Sequence, residues 1–412
     1  MILSRRVVVF LGVSFFLVLL YTARHLSQPW HKIPQAVGLG EFVYPVGNNR
    51  TKSSNLTFTD FREDEKTLYA PQPNFIPGIP KPPGHEYTKM LVIPRMQSED
   101  VSWIEQELPD WQTAIYVADD PSAPLHPPKN KGHEVMVYLS YVIDFYEDLP
   151  DVSVFMHSHQ EAWHNDEIFG GDAAEILRRL SLPRVIREGY MNTRCTFAPG
   201  CPSWMHPGTV IENEQKQEET MLARAWGELF PDDPVPSVLA QPCCAQFALS
   251  KDRIRTIPRA RFIFYRDWLL QTDLSDYIAG RIWEYLWQYI FTGEAVVCVM
   301  PHICLCDGYG VCFGGQDEYD NFRSLFDEKN YIEEQLGDYN FDLDELDLAQ
   351  ENDESEEDEE GQPVSREGRL IKSAREKRQK VQELIDAALL LGEDPQHRAM
   401  EAGRPWKKGD GF

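Results

Sequence analysis

His157 and His159, separated by one residue, are the sharpest chemical feature of the chain, with Glu161, His164 and Asp166 close behind. They follow residues 152–156, a short run rich in strand formers. Alternate residues on a strand point the same way, so a strand end here aims both imidazoles to one side. Two nitrogen ligands completed by His164 or Asp166 would suit Zn²⁺ or Mn²⁺. Without metal, the same cluster would contact a ligand directly, together with Trp163, or hydrogen-bond the loop backbone and shape the turn before that tryptophan.

A second constellation lies on a predicted helix over residues 275–291. Ile278, Ile282, Leu286 and Ile290 form its buried stripe, and Tyr277, Arg281, Glu284 and Gln288 fall on the adjacent one. Glu284 sits between Trp283 and Trp287, and desolvation by aromatic neighbours raises a carboxyl pKa toward the range of a general base. Arg281 and Trp283 would then contact substrate. The competing reading is structural, with Arg281 and Glu284 paired one turn apart. Gln246 enters an apparent strand after Cys243-Cys244-Ala245 and could line an acceptor pocket or only the core wall. Asp119-Asp120 precedes Pro121 and reads as a turn. The Asp342-x-Asp344 pair lies in an acidic run and reads as solvated charge.

The elements that must position these groups begin at Lys89. Residues 90–93, 113–117, 152–156 and 247–249 read as strands, and residues 132–146, 172–180, 217–230 and 259–271 as helices. Strands alternating with helices predict an α/β fold, a mostly parallel open sheet flanked by helices over residues 89–316. Ligands of such sheets bind beyond the carboxyl ends of the strands, where His157 falls.

Outside that domain, Arg5 and Arg6 precede an apolar stretch from Val7 to Tyr21, and Arg24 closes it. About 17 apolar residues is near the lower limit for spanning a bilayer. The bulky Tyr21-Thr22-Ala23 disfavours signal cleavage, so residues 1–25 predict a cytosolic tip and a single-pass type II membrane anchor. Residues 26–88 are rich in proline and read as an extended stem. They carry two glycosylation sequons, at Asn49 and Asn55.

All eight cysteines lie beyond residue 194, which fits the oxidising lumen of the Golgi or endoplasmic reticulum. Cys298, Cys304, Cys306 and Cys312 could formally bind zinc, but a lumen favours disulfides. Cys195 with Cys201 is a plausible local pair, and Cys243 and Cys244 are each expected to bond elsewhere.

The net charge of −26 is concentrated. Residues 317–361 hold 20 acids against Arg323 and Lys329. The remainder is only mildly acidic, which argues against nucleic acid as a partner. Residues 317–364 are expected to be disordered, 365–391 to form an isolated helix, and 392–412 to be a flexible end.

Several stretches together resemble the fungal family called domain of unknown function 3431. They include Leu91-Val92-Ile93, Tyr138-Leu139-Ser140-Tyr141, Phe155-Met156-His157-Ser158-His159 with Trp163-His164, Gly189-Tyr190-Met191-Asn192, Cys243-Cys244-Ala245-Gln246-Phe247 and Trp283-Glu284-Tyr285. The resemblance covers about residues 88–315 and implies no activity. Gly132-His133-Glu134 departs from the Gly-Arg-Glu expected there. The strand ending in His-Ser-His is also similar to the GT-A nucleotide-sugar transferases, in which Asp-x-Asp holds a metal on the diphosphate. That similarity implies a luminal glycosyltransferase-like enzyme acting on a nucleotide sugar and a glycan acceptor, with Glu284 as base. The alternative is a non-catalytic, membrane-tethered binding or scaffold protein on the same fold.

Overall fold

The computed structural model describes residues 75–337 and 366–408. The anchor, most of the stem with Asn49 and Asn55, and the densest part of the acidic run lie outside the described residues. Among the described residues no helix is long and apolar enough to cross a membrane.

The structure is mixed α/β. Its strands are β1 (Lys89–Arg95), β2 (Gln112–Val117), β3 (Val152–Phe155), β4 (Tyr190–Asn192) and β5 (Phe247–Ser250). The chain forms two compact units. The first takes in residues 89–159 and 197–298, and the second residues 77–88, 160–196, 299–337 and 366–408.

In the first unit the strand order is β2-β1-β3-β5. β1 pairs parallel with both β2 and β3, whereas β5 runs antiparallel to β3. Leu91, Val92 and Ile93 are wholly buried and so is every residue of β3, as expected of strands covered on both faces. From β1 the chain passes through helix Ser102–Glu107 to β2, and from β2 through helix Val135–Asp144 back past β1 to β3. That reversal makes the carboxyl ends of β1 and β3 a topological switch point, where open α/β sheets bind ligands. Tyr138, Phe155, Phe247 and Trp287 interlock beneath it with ring centroids 4.9–6.0 Å apart.

The expected single helix over 275–291 is two, Asp276–Glu284 and Trp287–Thr292. At the break the Tyr285 and Leu286 N–H groups donate to Ile282 and Trp283, three residues back, tightening the turn. Trp283, Leu286 and Trp287 all become buried as a result.

The second unit holds β4 and helices Ala173–Arg179, Leu182–Glu188 and Pro301–Tyr309, the last unforeseen from sequence. The acidic run corrects two expectations. Its first part is helical, Gln316–Gly337, and the predicted isolated helix, Arg366–Gly392, packs against it. Leu336 and Ala374 are fully buried between the pair, flanked by Ile332, Leu370 and Ile371. Lys377 pairs with Glu328 and Arg378 with Glu333, so basic residues of one helix offset acids of the other. The chain after Gly392 adds a further helix, Pro395–Glu401.

All eight cysteines pair, as Cys195–Cys304, Cys201–Cys298, Cys243–Cys244 and Cys306–Cys312. The expected Cys195–Cys201 pair is therefore replaced by two long-range bonds. Cys243 and Cys244 bond each other, contrary to expectation. Left-handed backbone at Cys244 (φ 89°) and Ala245 (φ 50°) folds the chain tightly there.

Candidate functional site

At the carboxyl end of β3 the His157 N–H donates to the Gln246 side-chain oxygen at 2.9 Å. Gln246 is buried just before β5 and closes that end of the sheet. Two residues earlier, the Cys244 N–H donates to Glu284 Oε1 at 2.6 Å. The vicinal disulfide thus presents a backbone donor to the carboxylate, and its sulfurs lie close to that same group. Gln241 Nε2 also donates to the Glu284 carbonyl. Gln246 and Glu284, singled out from sequence on separate elements, meet the same turn, 243–246, beside the switch point.

Burial pushes the Glu284 carboxyl above its ordinary range; the Cys244 N–H and the Arg281 charge pull the other way without cancelling it. Arg281 is not Glu284's ion-pair partner. It forks onto Glu218, with Nε at 2.7 Å from Oε2 and Nη2 at 3.0 Å from Oε1. Glu218 is fully buried, so this bidentate pair anchors the Arg281 helix against the segment before helix Glu219–Leu229. Trp283 is buried against Trp287, with centroids 5.0 Å apart, as part of the core.

Glu134 is the acid that sequence reasoning missed. It begins helix Val135–Asp144 after a left-handed turn at Gly132 (φ 71°) and His133 (φ 53°). Glu134 is half-buried, and desolvation of its carboxyl raises it to about 8; its own N–H opposes that, and the Glu284 charge adds to it. The signal in the sequence was faint: a Gly-led turn placing an acid at a helix start, with nothing to show what would pack on it.

Of the four expected metal ligands, His157 and His159 belong to the first unit and His164 and Asp166 to the second. Asp166 in the second unit spends its carboxylate on the N–H groups of Ile168, Cys195 and Thr196 and on the Thr196 hydroxyl. His164 lies beside Trp163, with centroids 4.5 Å apart, and Arg194 donates to the carbonyls of both. In the first unit His159 is exposed, 3.8 Å from a Glu99 oxygen. Among the described residues, the convergent groups of three or more ligand atoms are Cys243, Cys244 and Glu284, and Cys306, Cys312 and Glu401. Neither includes these histidines or Asp166, and their sulfurs are tied in disulfides. Trp163 stands 68% exposed in the second unit, free of any core role.

A family described as protein of unknown function, DUF3431, matches residues 91–307. No curated protein and no solved structure matches the chain.

Proposed function

Because that match spans just over half of its length, the chain belongs to the DUF3431 family, and we propose for it a luminal glycosyltransferase-like activity with Glu284 as general base. One observation carries the reading. A carboxyl raised by burial is held by the Cys244 N–H beside the sheet's switch point, where a substrate of such a fold binds. In the proposed step Glu284 takes the proton of an acceptor hydroxyl. The acceptor oxygen bonds to the anomeric carbon of a nucleotide sugar, and the bond to the diphosphate breaks with its electron pair leaving on the phosphate. A single displacement of this kind inverts the configuration at the sugar.

Membrane tethering and a position in the Golgi or endoplasmic reticulum lumen belong to the same proposal. They are supported by the apolar stretch Val7–Tyr21 after Arg5 and Arg6, by the Asn49 and Asn55 sequons, and by four disulfides. The full chain is expected to show a thermal shift with at least one nucleotide sugar, screened with and without Mn²⁺. No shift with any donor would count against it.

A non-catalytic binding role is the second reading, favoured by how many candidate polar groups are spent on structure. Arg281 holds Glu218 and Gln246 holds the His157 N–H. In that case Glu284→Gln would leave ligand binding intact, with no turnover to lose.

A further inference from the structure

Three arginines of the second unit converge on one buried carboxylate. Arg184 and Arg187 lie three residues apart on helix Leu182–Glu188 and so share one of its faces. Asp307 comes from helix Pro301–Tyr309 and is 3% exposed. Arg404 arrives from a distant part of the chain. After helix Pro395–Glu401, Gly403 (φ 66°) turns the backbone, and the Arg404 N–H donates back to the Ala399 carbonyl at 2.7 Å. Arg187 Nη2 lies 2.8 and 2.7 Å from the two Asp307 oxygens, and Arg404 Nη2 lies 2.7 Å from Oδ1. Arg184 Nη1 stands 3.7 Å from Oδ2.

The charges in this cluster do not balance. Among the described residues, Asp307 is the only acid within ion-pair distance of the three arginines, which leaves two positive charges over. At longer range Glu188 acts on Arg184, while Arg398, packed against Gly310, brings a fourth guanidinium. Four cations against two carboxylates leave the same excess. Burial lowers the Arg398 guanidinium to about 10; Asp307 opposes that and Arg404 adds to it. Taking charge out of water is costly unless an opposite charge meets it. The hydrogen-bond donors are left over as well. Arg187 and Arg404 spend only Nη2 on Asp307, and Nε of both, like that of Arg184, is sealed from solvent with no hydrogen-bond partner among the described residues. The two side chains nevertheless remain 16% and 21% exposed, so the cluster opens to solvent on their side.

We propose that Arg187 and Arg404 form a binding site for a phosphate-class oxyanion, with Asp307 as the brace that holds the two guanidiniums together. An excess of two positive charges matches a doubly charged anion, and clustered N–H donors match its several oxygens. Arg184 is 5% exposed and donates to the Ile303 carbonyl at 3.0 Å, so it lies too deep to touch the anion and contributes charge alone. The site lies within the second unit and is independent of the transferase reading. Free phosphate and the phosphoryl groups of a nucleotide share this chemistry, and binding measurements separate them.

The test is calorimetric titration of the full chain with inorganic phosphate, at an ionic strength held constant with chloride, alongside thermal midpoints. Phosphate should bind saturably and raise the midpoint. Arg187→Gln and Arg404→Gln should each weaken binding by about tenfold or more, the loss of a charge-assisted contact. Should Arg187→Gln fail to fold, Arg404→Gln still decides, because Arg404 lies beyond the helices that carry Arg187 and Asp307. Arg255→Gln, at a partly exposed arginine of the first unit, should bind phosphate as the wild type does. A nucleoside diphosphate that displaces phosphate and binds more tightly would make a nucleotide the ligand; one that binds no better would make the phosphate group itself the ligand. No saturable response beyond that to chloride would overturn the site. Undiminished binding by Arg404→Gln would overturn it too, leaving the arginines as braces of Asp307 only.

Discussion

Glu134 ties local chemistry to stability. Its carboxyl moves from an ordinary 4.5 to about 8 on folding, so the folded protein binds a proton that the unfolded chain has already released. Stability contributed by this group is fully present below about 4.5 and is lost as pH rises through 8. Thermal midpoints of the wild type should therefore fall more steeply over that window than those of Glu134→Gln. Equal slopes would show that Glu134 is an ordinary exposed acid. Asp166 illustrates the opposite use of a carboxylate, buried but satisfied by four donors across residues 168–196. Asp166→Asn keeps the shape and removes the charge-assisted acceptor, at a cost of about 2–3 kcal/mol. Denaturant titration should show a lower midpoint at unchanged slope.

At this scale the sequence was informative in part. Glu284 between two tryptophans is a local signal that desolvation will act on it. Asp166 looked like a metal ligand because three of its four donors come from Cys195 and Thr196, about 30 residues away, which no spacing announces. Glu134 was invisible for a related reason: the helix that closes on its turn is distant in sequence and approaches through Gly280.

At the scale of elements, short runs of three to five residues, mostly apolar, were enough to place β1, β2, β3 and β5, because the buried centres of these strands are rich in Val, Ile, Leu and Phe. The acidic helix Gln316–Gly337 was misread because charge density outweighed the spaced Tyr319, Phe322 and Phe326, all of them buried. Its basic partner helix follows a long intervening segment, so the offsetting charges are remote in sequence.

Loop packing is equally hidden. Gly200 has φ 127°, and a Cβ there would lie 2.0 Å from the Gln241 carbonyl and 3.0 Å from the Cys243 N. The loop thus lies directly against the segment that leads into the Cys243–Cys244 turn. Gly200→Ala should destabilise the fold by about 3 kcal/mol or more, since both the conformation and the contact are forbidden to a side chain. A variant with wild-type thermal stability would contradict this packing.

Taken as a whole, the molecule is stapled by bonds of very different reach. Cys195–Cys304 and Cys201–Cys298 span 109 and 97 residues, and Cys306–Cys312 spans 6. On the loop-entropy relation the long bonds are worth about 4–5 kcal/mol each and the short one about 2. Paired Cys→Ser replacement should therefore lower stability far more at 195/304 than at 306/312, and equal losses would argue against that connectivity. The even cysteine count predicted disulfides, but the partners are chosen by tertiary proximity that spacing does not encode.

Turnover tests the role of Glu284 most directly. The full-length protein and its Glu284→Gln variant, matched for thermal stability, should be assayed for release of nucleoside diphosphate from a panel of nucleotide sugars with hydroxyl acceptors. The wild type should show acceptor-dependent release and the variant a loss of about 10²–10⁴-fold, the contribution of a general base. No release with any donor, or release undiminished in Glu284→Gln, would contradict it.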